Sequence, residues 1–293
     1  MAAVTAPAAA ITNAPPRGSL MQRISKRALP TFTALAIVYL MIPIVVMIVY
    51  SFNEPDGKFN YIWNKFSLQG WLHPFDWPGL GDAVTTSLAV AVISTIVATI
   101  LGTMIGLALT RYEFKGRGAL NGIIFLPMAT PEIVLGASLL GLFVGTALPP
   151  LKGAVPTLYP TGFVTILIAH IMFNISYVVV TVKARLAGFD RRLEEAAMDL
   201  GANEVMTFWK VTFPLILPGI MAAALLAFSL SIDDFVITNF VSGTTNTFPI
   251  WIYSIQRNAL PVQINVIGSI IFLGAVALVG ISTLRSGRAA RIR

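Results

Sequence analysis

The 293-residue chain contains no cysteine, which excludes disulfides, thiol nucleophiles and cysteine-ligated metals. Its only histidines, His73 and His170, are far apart and outside any H-E-x-x-H, so they form no metal-hydrolase pattern. No G-x-x-x-x-G-K-[ST] occurs, so the chain lacks the phosphate cradle of a P-loop ATPase. Charge is scarce too. Only 11% of residues are charged, against about 25% in soluble domains, so there is too little polar side chain to clothe a water-facing surface.

What is present is apolar: 56% of the residues are hydrophobic and mean hydropathy is +0.79. Six stretches reach the roughly 20 residues that a helical span needs: 29–50, 83–110, 120–146, 161–182, 216–241 and 262–284. The first exceeds the roughly 7–15 residues of a secretory h-region, and no A-x-A-like site follows it. If the N-terminus is inside, 16 of the 20 Lys and Arg fall in inner segments, leaving Lys58, Lys65, Lys152 and Arg257 outside. That bias predicts an all-α integral membrane protein with six transmembrane helices and both termini cytoplasmic. The net charge of +7 is then mainly a topology signal, with membrane lipid rather than nucleic acid as its neighbour.

The expected organisation is a disordered, Ala- and Pro-rich tail (1–28), one transmembrane domain (29–284) and a short basic tail (285–293). The longest outer loop, 51–82, mixes aromatics with a few charges, which suits an interfacial belt or an outer contact surface. The second, 147–160, carries four prolines and is expected to be short and irregular.

Between the fourth and fifth spans, residues 190–214 form a polar interruption, with EAAMDLGANEVMTFWKVTFP at 195–214. Good helix formers run from Glu194 to Leu200, and Gly201 stands where a helix stops with a left-handed residue. Asn203 is the expected cap of a second short helix running to about Phe213 and ended by Pro214. An amphipathic connector on the membrane surface is one reading. The acids Glu194, Glu195 and Asp199 would be repelled by an anionic leaflet, and the small Ala196 and Ala197 let another surface approach the backbone; both favour docking.

Three acids fall at membrane depth. At 1.5 Å per residue, Glu132 lies about 18 Å into the third span, and Asp233 about 25 Å into the fifth with Asp234 beside it. An ionised acid in hydrocarbon costs on the order of 2.5–3.5 kcal/mol even on lenient scales, so these should face a cavity or a partner. In a continuous helix, adjacent residues point about 100° apart, so only one Asp of the pair can face the pathway squarely. The spans are otherwise without Lys and Arg, and a cationic substrate could fill that vacancy. The alternative is structural, with the acids protonated or bonded to hydroxyls and to backbone freed by Pro127 and Pro131. Trp251 and Tyr253 could add cation–π contacts at an outer mouth, or simply belong to an aromatic belt. Asn174 is a further pathway candidate; His170 reads better as an inter-helix hydrogen-bonding residue.

The polar loop resembles the EAA loop (EAA-x3-G-x9-I-x-LP) of permease subunits in binding-protein-dependent ABC importers. Glu195, Ala196, Ala197, Gly201 and Pro214 match it, with Val211 and Phe213 as apolar replacements. Other stretches, including LPMATPEIVLGASLL (126–140) and SLSIDDFVITNFVSG (229–243), resemble the second permease subunit of bacterial spermidine/putrescine importers. The resemblance implies a type I importer permease fold in the bacterial cytoplasmic membrane and no covalent catalysis. It implies as partners a second permease chain, two ATP-binding subunits that hold ATP and Mg, and an extracytoplasmic binding protein. No cofactor is expected in this chain. An ABC permease for another solute, such as an aminoalkylphosphonate, is the nearest alternative. An ion-coupled secondary transporter is the alternative from another class.

Overall fold

The computed structural model describes residues 20–145 and 160–291. The tail before Leu20 and the second outer loop, save Pro160, lie outside them. Twelve α-helices occur among the described residues: α1 (Leu20–Tyr50), α2 (Gln69–Leu72), α3 (Leu80–Arg111), α4 (Arg117–Ala129), α5 (Glu132–Gly145), α6 (Phe163–Ala187), α7 (Arg192–Asp199), α8 (Glu204–Thr207), α9 (Phe213–Ile232), α10 (Val236–Val241), α11 (Phe248–Ile255) and α12 (Val262–Arg291).

Four uninterrupted helical stretches are long and apolar enough to cross a bilayer: Arg27–Tyr50, α3, α6 and Glu204–Ile232. The bent pair α4–α5 makes a fifth candidate, and α12 holds a shorter apolar stretch at Val262–Ala277. α1 begins at Leu20 and α12 continues to Arg291, so helix extends beyond the expected ends of the first and last spans.

α3, α6 and α9 form the packed centre. Val178, Val182 and Leu186 of α6 pack on Ile216, Ile220, Ala223 and Ala227 of α9. α3 comes close because Gly102 has no side chain: a Cβ there would meet Val178 Cγ1 at 2.6 Å. Without solvent exclusion to drive helices together in lipid, such small-residue contacts carry the association. α1 is the opposite case. Nothing in its apolar window is buried, and it lies against α12 with most of its apolar surface bare.

Two expected helices are broken instead of continuous. The third span divides at Thr130–Pro131 into α4 and α5, bent by 108°. Pro131 has no N–H and forces the residue before it out of the helical region; Thr130 is extended at φ −82°, ψ 131°. The fifth span stops at Ile232, and Asp233–Phe235 form a non-helical step before α10. The Asp234 carboxylate accepts from Thr238 N and so competes with the helical ladder. The expected 100° separation of Asp233 and Asp234 therefore does not apply.

The loop 51–79 is a folded cap. Asn53 Nδ2 donates to Asn60 Oδ1 at 2.6 Å, and the Trp71 indole donates to Ser51 Oγ at 3.1 Å. Phe52 stacks on both Phe66 and Trp71. Backbone bonds with Leu260, made by Lys58 O and Asn60 N, tie the cap to the turn before α12.

Candidate functional site

The two breaks meet at one cavity of about 300 Å³. Thr130 and Glu132 come from the α4–α5 bend, Asp233 and Phe235 from the step between α9 and α10, and Phe173 and Tyr177 from α6. Local chemistry explains the convergence: a proline on one side and paired aspartates on the other free the backbone and direct carboxylates into the gap. Non-helical backbone at membrane depth is tolerated only where it is buried in protein or lines a cavity.

The adjacent aspartates part company here. Asp234 reaches the cavity wall, but its carboxylate is turned inward, with 7% of the side chain exposed. Its Oδ2 accepts from Thr238 N at 2.8 Å and from Thr238 Oγ1 at 2.6 Å, which caps the start of α10. Thr238 Oγ1 is 2.8 Å from His170 Nε2, and His170 Nδ1 is 2.6 Å from Ser231 Oγ. Ser231 Oγ in turn bonds Ser94 Oγ at 3.0 Å. One polar chain thus pins α3, α6, α9 and α10 together, and His170 serves as the inter-helix bridge expected of it. Asp233 has no such network and is exposed to the cavity, as is Glu132.

Asn174 and Trp251 are not brought to this cavity. Asn174 is fully buried in α6 between the two aromatic wall residues, with no hydrogen-bond partner among the described residues. Trp251 is buried against Leu80, Val84 and Ile267, and its indole donates to Pro78 O at 3.1 Å, so it is a core anchor. Tyr253 is exposed, and its ring lies 4.8 Å from that of Phe235, one residue removed from the cavity. Phe173 and Tyr177 were missed by sequence reasoning. Their signal is two aromatics four apart, which share a helix face.

The second candidate region is the polar loop. α7 ends at Gly201, whose φ of +88° only glycine adopts without strain, and Asn203 Oδ1 accepts from Met206 N at 2.8 Å as the cap of α8. The second helix is not separate, as expected, but runs on through a π-helical turn (Phe208–Thr212) into α9. Pro214 explains the wider turn. Its missing N–H and its ring conflict with a regular i−4 ladder, and an added residue in the turn relieves the clash.

The loop's acids also separate. Glu195 and Asp199 are exposed, with Ala196 exposed and Ala197 half-buried. Glu194 is turned inward, 13% exposed, and bonds both Arg111 at the end of α3 and Thr212 Oγ in the π turn. Leu200 is 90% exposed, and Val205, Met206 and Trp209 are exposed too. Bare apolar side chains around a preformed turn make a surface suited to a protein partner.

A multi-span helical bundle with a polar cavity between broken helices and an exposed helix-turn-helix loop has the features of a transport subunit. Residues 98–289 match the family described as binding-protein-dependent transport system inner membrane component, and the chain belongs to that family. It is a multi-pass inner-membrane transport subunit; nucleotide hydrolysis belongs to separate subunits in such systems. Among curated relatives, it is 36% identical over 249 residues to the spermidine/putrescine transport system permease protein PotC of Haemophilus influenzae, covering 84% of this chain and 91% of that one. It is 37% identical over 248 residues to the putrescine transport system permease protein PotI of Escherichia coli K12, covering 84% and 85%.

Among solved structures, the fold matches a chain of a bacterial ABC transporter importing the acidic polysaccharide alginate. The TM-score is 0.64 at 16% identity, over 92% of this chain and 99% of that one. A chain of the inward-facing MetNI methionine ABC transporter matches with a TM-score of 0.53 at 18% identity, over 73% and 95%.

Proposed function

We propose that the chain is one of two permease subunits of an ATP-driven polyamine importer, with spermidine or putrescine as cargo. Six spans place both termini and the loop 190–214 in the cytoplasm, with residues 29–284 as the transmembrane unit. A sister permease completes the pathway, two ATP-binding subunits drive it, and an extracytoplasmic binding protein delivers the substrate. The observation that carries this reading is the cavity: Asp233 and Glu132 face it together, and no cation lines it among the described residues. A protonated amine supplies the missing charge, and Phe173, Tyr177 and Phe235 offer ring faces to its methylenes and ammonium groups. The relatives named for spermidine and putrescine support the same cargo.

In the mechanism, no covalent bond is made. The exposed face around Glu195, Ala196, Ala197, Asp199, Gly201 and Leu200 sits in a groove of an ATP-binding subunit, and closure of the ATPase pair favours one arrangement of the spans. Alternating access follows as a rigid-body switch biased by a partner that binds one state better. ATP and Mg are held by the partner.

The cargo is tested by competition. Uptake of labelled putrescine by cells expressing the whole importer should be suppressed by unlabelled spermidine and unaffected by an aminoalkylphosphonate. The reverse pattern would move the chain to another substrate branch.

A further inference from the structure

The polar loop carries two adjacent glutamates, and only one is available to a partner. Glu195 is exposed, whereas Glu194 is enclosed between three elements. Its carboxylate accepts from the Arg111 guanidinium, the last residue of α3, and from Thr212 Oγ, in the π turn that leads into α9. Arg111 is itself 25% exposed and lies 5.9 Å from the centre of the Phe189 ring, on the segment between α6 and α7. A parallel tie runs beside it, from Arg191 Nη2 to Thr110 O at 3.1 Å. Thr212 is fully buried, and the π turn sets its hydroxyl on the side of α7.

We infer that Glu194 is a positioning residue for energy coupling, a strut that fixes the docking helix to α3 and α9, and not part of the surface that an ATP-binding subunit grips. The reasoning is mechanical. A partner pressing on α7 moves the spans only if α7 cannot swing independently of them. α7 is eight residues long, flanked by a turn at Gly201 and a non-helical link at 188–191, and none of its residues is buried. Apolar packing cannot hold so exposed a helix; an ion pair shielded from water, reinforced by a hydroxyl, can. The strut ends on two of the three central helices, so a displacement of α7 reaches the cavity acids on the α9–α10 step through a rigid path.

The inference rests on the proposed ATP-driven importer, and the test separates the two. In the complete transporter reconstituted in proteoliposomes, three quantities are measured: retention of the ATP-binding subunits, ATP hydrolysis, and spermidine uptake per ATP. Glu194→Gln should keep the subunits bound and hydrolysing while uptake per ATP falls by about 10-fold, within the usual range of coupling energies. Thr212→Val, nearly isosteric, should give a smaller loss of the same kind. The double exchange Arg111→Glu with Glu194→Arg should recover part of the lost coupling, because the pair is restored and Thr212 can accept where it formerly donated. Loss of the ATP-binding subunits in Glu194→Gln, unchanged uptake per ATP, or no recovery in the exchange would each overturn the strut. Failure of the unaltered chain to retain any ATP-binding subunit would instead overturn the importer reading itself.

Discussion

Two pairs of neighbouring acids, one at the polar loop and one at membrane depth, divide in the same way. Glu194 and Asp234 turn inward and are bonded; Glu195 and Asp233 stay exposed. The means differ. At the loop a guanidinium is at hand and forms an ion pair. Among the described residues no Lys or Arg lines the cavity, and Asp234 is satisfied by Thr238 and by an imidazole chain to Ser231. Bonded acids build the frame; in the proposed function their exposed neighbours meet a protein surface in one case and a cation in the other.

The largest expected effect is at the cavity. Asp233→Asn removes the exposed carboxylate and should cut polyamine uptake on the order of 30-fold or more, the scale of losing one partner of a desolvated ion pair. Its expression and folding should be normal. Equal loss in Asp234→Asn, with unaltered thermal stability, would break the proposed division of labour. The expected result for Asp234→Asn is a stability loss of about 1–3 kcal/mol, read as a lower unfolding midpoint in detergent, because a buried acceptor of two bonds is weakened. Gly201→Ala should cost about 1–2 kcal/mol of local strain at its positive φ. It should show as weaker retention of the ATP-binding subunits, with the spans themselves intact.

The smallest effect concerns the outer cap. The hydrogen bond from Lys65 holds the Glu54 carboxyl below its ordinary value, with Ser67 adding to it. A depressed folded pKa stabilises above the unfolded value of about 4.5 and loses that contribution as pH falls through the lowered folded value. Protease resistance of the loop 51–79 should therefore be flat from neutral pH down to about 5. Only below the ordinary carboxylate range should it soften, and Glu54→Gln should abolish that softening.

Much of this division was hidden from the sequence, for identifiable reasons. Hydropathy marks the long apolar helices because desolvation depends on composition, and Gly201 and Asn203 are legible because turn and cap chemistry is local. The breaks at Pro131 and Asp233 do not show in hydropathy: a long apolar run reads as one helix unless the proline and aspartate chemistry is given priority. Which acid of each pair points inward depends on Arg111 and Thr212, or on His170, all brought in by tertiary packing, and on Thr238, four residues further along the chain from Asp234. Trp251 illustrates the same limit. Its composition suits an interface, and only packing against Leu80 and Pro78 makes it a core residue.

The most direct measurement is spermidine uptake by proteoliposomes holding both permease chains and the ATP-binding subunits, with the binding protein outside and ATP or a non-hydrolysable analogue enclosed. Accumulation should appear only with hydrolysable ATP and should persist when an ionophore collapses the membrane potential. Uptake that proceeds without the ATP-binding subunits and disappears with the ionophore would contradict it.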